Sequence, residues 1–153
     1  MYKNKNCGEP NSKDIGSEVI VAGWVNKRRD HGNLIFIDLR DKSGVLQVVF
    51  NPEVSSDAHD LASNLRSEWV VQIKGVIVKR ISGAENDSIS TGSVELQANE
   101  IKILNKSKTP PFEISDEIEI DDQTRLAYRF IDLRRPKMQK LFTLRHKITK
   151  LIW

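Results

Sequence analysis

Between residues 18 and 104 apolar side chains recur at every second position in short runs separated by turn residues, a period that predicts strands. The first run, residues 18–29 (EVIVAGWVNKRR), has Gly23 in its middle, where a glycine marks the bend of a strand turning a barrel corner. Asp30-His31-Gly32-Asn33 reads as a turn. Residues 34–40 give a second strand, Asp41-Lys42-Ser43-Gly44 a second turn, and residues 45–50 a third strand stopped by Asn51-Pro52. The period then changes. Ala58, Leu61, Ala62 and Leu65 fall at i, i+3, i+4 and i+7, one apolar helical stripe, with Ser55 or Ser56 to cap it and Asp57 to suit its dipole. A fourth strand covers residues 68–80. The Gly/Ser-rich stretch 81–92 predicts a flexible hairpin loop, and a fifth strand covers residues 93–104.

Three strands, a helix and two further strands is the order of an OB-fold. The expected class is all-β with minor α: a five-stranded Greek-key barrel over residues 1–104, with a helix between strands three and four plugging one end. Residues 105–123 change character. Pro110 and Pro111 cannot continue a sheet, and the acidic ISDEIEIDD that follows reads as an exposed linker. Residues 124–135 predict a short helix and a bend, and Pro136 suits the first turn of another helix. Leu141, Leu144, Ile148 and Leu151 repeat at helical spacing up to Trp153 with no capping Gly or Asn. Residues 124–153 are therefore expected to be a truncated helical segment opening a second domain.

Alternation also sorts the barrel faces. Ile35, Ile37 and Leu39 point inward, which puts Leu34, Phe36, Asp38 and Arg40 outside. Leu46, Val48 and Phe50 point inward and leave Gln47 outside. Gln72, Lys74 and Arg80 share a parity, and Val94, Leu96 and Ala98 inside leave Ser93, Glu95 and Gln97 outside. An outward phenylalanine among amide, acidic and basic groups has the makings of a stacking platform for a nucleotide base. Gln47 offers a donor and an acceptor, Arg29 and Arg80 donate, and Glu95 accepts. The bland readings stand beside this one. Phe36 is either a platform or a ring covered by a loop, and Lys27-Arg28-Arg29 either meets phosphates or is a solvated strand end.

Composition narrows the field. Hydrophobic residues make up 39% and charged residues 29% of the 153 residues, as in an ordinary globular chain. No apolar run nears the ~18 residues of a membrane span, and the first residues lack the apolar core of a secretory signal. The single cysteine, Cys7, excludes an internal disulfide and fits a reducing, cytoplasmic setting as a passive residue. The net charge of +3 is segregated: residues 1–104 hold 13 Lys+Arg against 14 Asp+Glu, residues 105–123 hold 2 against 6, and residues 124–153 hold 9 against 1. The barrel is thus no basic sponge, and any nucleic-acid binding depends on where its charges sit. No His or Cys pair has metal-ligand spacing, no Gly-rich phosphate loop is present, and no nucleophile triad is visible. The chain is expected to hold no catalytic residue, metal or cofactor of its own.

Two segments then carry a family likeness. GWVNKRRDHGNLIFIDLRDKSGVLQVVFNPE (residues 23–53) resembles the N-terminal anticodon-binding domain of bacterial-type aspartyl-tRNA synthetases. LAYRFIDLRRPKMQKLFTLRHKITK (residues 126–150) resembles the stretch leading into their first class II motif helix. The resemblance implies that Phe36 stacks on the middle anticodon base, that Arg29, Gln47, Arg80 and Glu95 contact anticodon bases, and that His31 lies beside the first. His31 with Gly83 resembles the non-discriminating type, which charges both tRNA(Asp) and tRNA(Asn) with aspartate. The resemblance further implies that ATP and Mg²⁺ belong to the parent enzyme, whose catalytic groups have no counterpart here. It also implies that residues 137–153 start the motif 1 helix, through which the parent forms a homodimer. The competing reading is a free-standing OB module that binds single strands or a protein partner.

Overall fold

A computed structural model describes residues 2–153, and the chain divides into two compact units after Lys108. The first unit contains five strands: β1 (Glu18–His31), β2 (Leu34–Asp41), β3 (Gly44–Phe50), β4 (Val70–Lys79) and β5 (Val94–Asn105). They close a barrel in the order β1-β2-β3-β5-β4, with β4 returning to β1. The ladders are antiparallel apart from β3–β5, which is parallel. The alternating residues named from the sequence fill the interior: Ile37, Leu39, Leu46, Val48, Phe50 and Leu96 are fully buried.

Helix α1 (Ser56–Ser63) lies between β3 and β4 and contacts β5, β2 and β3. Ser55 caps it, its hydroxyl accepting from the Ala58 N–H at 3.3 Å. Ala58, Ala62 and Leu65 are buried as the stripe predicts, but Leu61 is 45% exposed. In so short a helix only the centre of the stripe reaches the barrel, and Leu61 sits on its edge.

Strand β1 serves two partners. Its first half, to Trp24, pairs with β4, and its second half pairs with β2. Gly23 sits where the partners change, and a Cβ there would stand 2.4 Å from the Arg40 carbonyl oxygen. That close approach is the physical reason for a glycine at the corner. The strand also runs two residues past the predicted Arg29. Asp30 and His31 join the ladder opposite Ile35 and Leu34, and the turn contracts to Gly32-Asn33. Gly32, at φ +60°, takes the left-handed position that this tight hairpin asks of its first residue.

Just past the corner the β1–β2 register shifts between Val25 and Lys27, leaving Asn26 as the extra residue of a bulge. Here β1 is also held by residues read from sequence as the start of the fourth strand. Glu68 lies outside the ladder at φ +64°. Its N–H donates to the Val25 carbonyl at 2.7 Å, and the Val25 N–H donates to the Trp69 carbonyl at 2.9 Å. A left-handed non-glycine residue costs about 1 kcal/mol or more, so the surroundings must hold it there. The Glu68 carboxylate, nearly buried, accepts from Arg40 Nη2 with both oxygens at 2.9 Å.

One further expectation changes. The stretch 81–92 is a set of hydrogen-bonded turns rather than a loose loop: the Asn86 N–H donates to the Gly92 carbonyl, and the Gly92 N–H to that of Ile89. The residues before β1 are tied into the barrel. Cys7 is buried in the barrel core cluster, and Asp41 accepts from Lys3 Nζ (2.7 Å), the Cys7 N–H (3.1 Å) and the Ser43 hydroxyl (2.5 Å).

The second unit holds α2 (Asp122–Ala127), α3 (Arg129–Asp132) and α4 (Pro136–Ile152). Asp121 caps α2, and Pro136 stands in the first turn of α4 as its fixed φ favours. Arg125 and Arg135 both donate to the buried Asp132. Leu141, Leu144, Ile148 and Leu151 of α4 are all exposed. Among the described residues no helix is long and apolar enough to cross a membrane.

Candidate nucleic-acid interface

The outer wall of β1, β2, β3 and β5 gathers most of the side chains singled out by alternation. The ladders place Arg29 opposite Phe36 and Phe36 opposite Val49; one step along, they place Asp38 opposite Gln47. Phe36 lies outside the core cluster and is half-buried, and its neighbour Val49 is almost covered although it faces outward. Together they form an apolar patch on an otherwise polar wall.

A chain of hydrogen bonds runs beside that patch across four strands. Arg29 Nη2 donates to Asp38 Oδ1 at 2.6 Å and to Gln47 Oε1 at 3.3 Å. Gln47 Nε2 donates to Glu95 Oε2 at 2.8 Å. Both ends of the Gln47 amide are therefore fixed in direction, carbonyl toward Arg29 and amino group toward Glu95. Asp38 is the member of this chain that the sequence reading left off its list of site residues. The signal was present, because Asp38 shares the parity of Phe36.

Arg80 departs from its expected position. It lies one residue beyond β4, has the outward parity, and is nonetheless 5% exposed. Its Nε donates to the Val94 carbonyl at 3.1 Å and its Nη1 to the Ala84 carbonyl at 3.4 Å, so the turns of 81–92 cover it. Its Nη2 is buried with no hydrogen-bond partner among the described residues. Burial pulls this guanidinium below its ordinary pKa, against the attraction of Glu95 and Asp38. Those two acids belong to the polar chain on the outer wall, so Arg80 adjoins it from beneath the loop.

The remaining candidates scatter. Lys27 is exposed and opposes Asp38 on the same outer face. Arg28 falls on the inner parity, opposite Ile37. Its guanidinium binds Asp30 and donates to the carbonyls of Ser63 and Leu65 at the end of α1, tying the helix to the barrel. His31 is exposed at the last position of β1, and Gly83 is exposed in the 81–92 turns. Gln72 donates to the Tyr2 carbonyl and Lys74 pairs with Glu18 and Glu100, so neither joins the patch. Among the described residues no group of three His, Cys, Asp or Glu side chains could hold a metal ion.

An apolar ring with directed donors and acceptors on the wall of a five-stranded Greek-key barrel is the layout of a nucleic-acid-binding OB module. Comparison with known proteins agrees: residues 19–104 match the tRNA anticodon family profile, described as an OB-fold nucleic acid binding domain. The chain belongs to that family, as an anticodon-binding OB domain homologous to the N-terminal region of aspartyl-tRNA synthetases. It is 51% identical over 149 residues to the aspartate–tRNA(Asp/Asn) ligase of Thermodesulfovibrio yellowstonii, covering 97% of this chain and 25% of that protein. It is 54% identical over 144 residues to the aspartate–tRNA ligase of Listeria monocytogenes, covering 94% and 24%. Among solved structures, asparaginyl-tRNA synthetase from Pyrococcus horikoshii superposes with a TM-score of 0.74 at 25% identity, over 90% of this chain and 31% of that one. The chain thus spans about a quarter of the length of the curated relatives it matches.

Proposed function

We propose that the wall around Phe36 receives the anticodon loop of tRNA(Asp), the middle base stacking on Phe36 while Arg29, Gln47, Glu95 and Arg80 read base edges. The observation that carries this reading is the line Arg29–Asp38–Gln47–Glu95 beside the half-buried ring, with donors and acceptors held in fixed directions. Within the longer protein this domain selects the tRNA for an aspartate–tRNA ligase acting in the cytoplasm. The rest of that protein attaches aspartate using ATP and Mg²⁺ and dimerises through α4, whose exposed leucines supply an apolar face. The resemblance of His31 and Gly83 to the non-discriminating type supports use of tRNA(Asn) as well; charging of tRNA(Asn) by the intact ligase tests that part.

The central test titrates the full chain with anticodon stem-loop RNAs that differ only in the middle base. The native base should bind at least about tenfold more tightly than its replacements, in line with stacking and edge contacts of ~1–3 kcal/mol. Equal affinity for all of them, or for unrelated oligonucleotides, would overturn base reading and leave a general single-strand binder.

A further inference from the structure

The wall's composition depends on which of two adjacent arginines reaches it. Counting alternately from Val21 and Val25 through an unbroken ladder would set Asn26 opposite Asp38, Lys27 opposite Ile37, and Arg28 opposite Phe36. The bulge takes Asn26 out of the count, so Arg29 opposes Phe36 instead, and Arg28 turns to the end of α1. One residue of register therefore decides which guanidinium meets Asp38 and Gln47.

Three side chains hold that register. Arg40, outside on β2, donates through Nη1 to Asn26 Oδ1 at 2.5 Å and through Nη2 to both oxygens of Glu68 at 2.9 Å. The two charged side chains are 12% and 6% exposed, so their attraction is little weakened by solvent. Glu68 in turn is fixed to the strand it helps shape, since its own N–H donates to the carbonyl of Val25, the residue before the bulge. The left-handed Glu68 thus reaches the bulge twice, through its N–H to Val25 and through its carboxylate to Arg40, which also holds Asn26.

We propose that Asn26, Arg40 and Glu68 are positioning residues for anticodon recognition: they clamp the β1 bulge and so deliver Arg29, rather than Arg28, to the base-reading wall. The proposal rests on the anticodon reading of that wall. It gives Arg40 a role without contact to RNA, exerted through Arg29.

The test is a pair of double-mutant cycles on the full chain, read by affinity for an anticodon stem-loop and by NMR. Arg40→Lys keeps a charge for Glu68 but cannot fork to Asn26 as well. Asn26→Ser leaves the Arg40–Glu68 pair intact, and serves alone if Arg40→Lys does not fold. Each should weaken RNA binding several-fold and lose the cross-strand backbone contact between Arg29 and Phe36. Adding Arg29→Ala to either should cost almost nothing more, because the guanidinium has already left its place. The proposal is overturned if the contact survives in the folded variants, or if Arg29→Ala still exacts its full native penalty on top of them. Failure of the underlying reading looks different: Arg29→Ala in the native chain would leave affinity unchanged while the two clamp variants still shifted the register.

Discussion

Gln47 Nε2 donates to Glu95 Oε2 at 2.8 Å across the parallel junction of β3 and β5. This bond turns the Gln47 carbonyl toward Arg29 and couples two strands whose neighbouring residues are nearly fifty positions apart in the chain. A carboxylate in place of the amide would face Glu95 as a like charge and lose a donor. Gln47→Glu should lower stability at neutral pH by about 1 kcal/mol and weaken RNA binding. Thermal melts at neutral pH and stem-loop titrations check the two losses; unchanged stability would count against the pairing.

Phe36→Ala separates stacking from folding. The ring lies outside the core cluster, so the melting temperature should fall by only a few degrees, corresponding to roughly 1 kcal/mol. RNA affinity should drop by ~1–3 kcal/mol, about five- to 150-fold. A large loss of stability with little loss of affinity would return Phe36 to a purely structural part.

Arg80 Nη2 is a donor without a partner among the described residues. A nucleotide acceptor reaches it only by displacing the 81–92 turns that cover it, after which the guanidinium's planar fork can take the contact. Arg80→Lys retains the charge but replaces three guanidinium nitrogens with one, giving up Nη2 and the bonds to the Val94 and Ala84 carbonyls. It should weaken stem-loop binding about tenfold, of the order of one charged hydrogen bond. Fluorescence anisotropy against the native stem-loop measures it, and unchanged affinity would remove Arg80 from the binding wall.

The Asp41 and Cys7 pKa values are shifted in opposite directions. Burial opposes the Asp41 charge, yet Lys3, Ser43 and the Cys7 N–H together hold its pKa down at about 2, from 3.8. A depressed carboxyl contributes stability above its unfolded pKa and loses it as pH falls from about 4 toward 2. Asp41→Asn should flatten that acid limb in melts across this window. Burial, with the Asp41 charge beside it, pushes the Cys7 thiol up to about 12. Cys7 should resist alkylation at pH 8 in the folded chain and react only under denaturant; mass spectrometry after iodoacetamide distinguishes the two.

The barrel was legible because its strands are amphipathic in strict alternation. Ile35, Ile37 and Leu39 place Phe36 outside with no need of coordinates, and Leu46 with Val48 does the same for Gln47. The bulge at Asn26 was not legible: Lys27-Arg28-Arg29 contains no apolar residue to mark which parity faces inward, so either register suits the sequence. The role of Arg28 followed from the same ambiguity. The burial of Arg80 depends on how the polar stretch 81–92 folds over it, through backbone hydrogen bonds that composition does not encode. Glu68 reads as an ordinary strand-opening residue, and only its left-handed backbone reveals otherwise.

The parallel seam between β3 and β5 has a further consequence for how the domain comes into being. Until β5 arrives, the outer rims of β3 and β4 both present unpaired amides and carbonyls, the condition that invites sticking to other chains. During synthesis the first four strands can therefore gain little lasting order by themselves, and completion waits for the stretch ending at Asn105 to leave the ribosome. A nascent chain halted before residue 94 should thus be a client for chaperones, whereas one extended past residue 108 should snap shut in a single cooperative step.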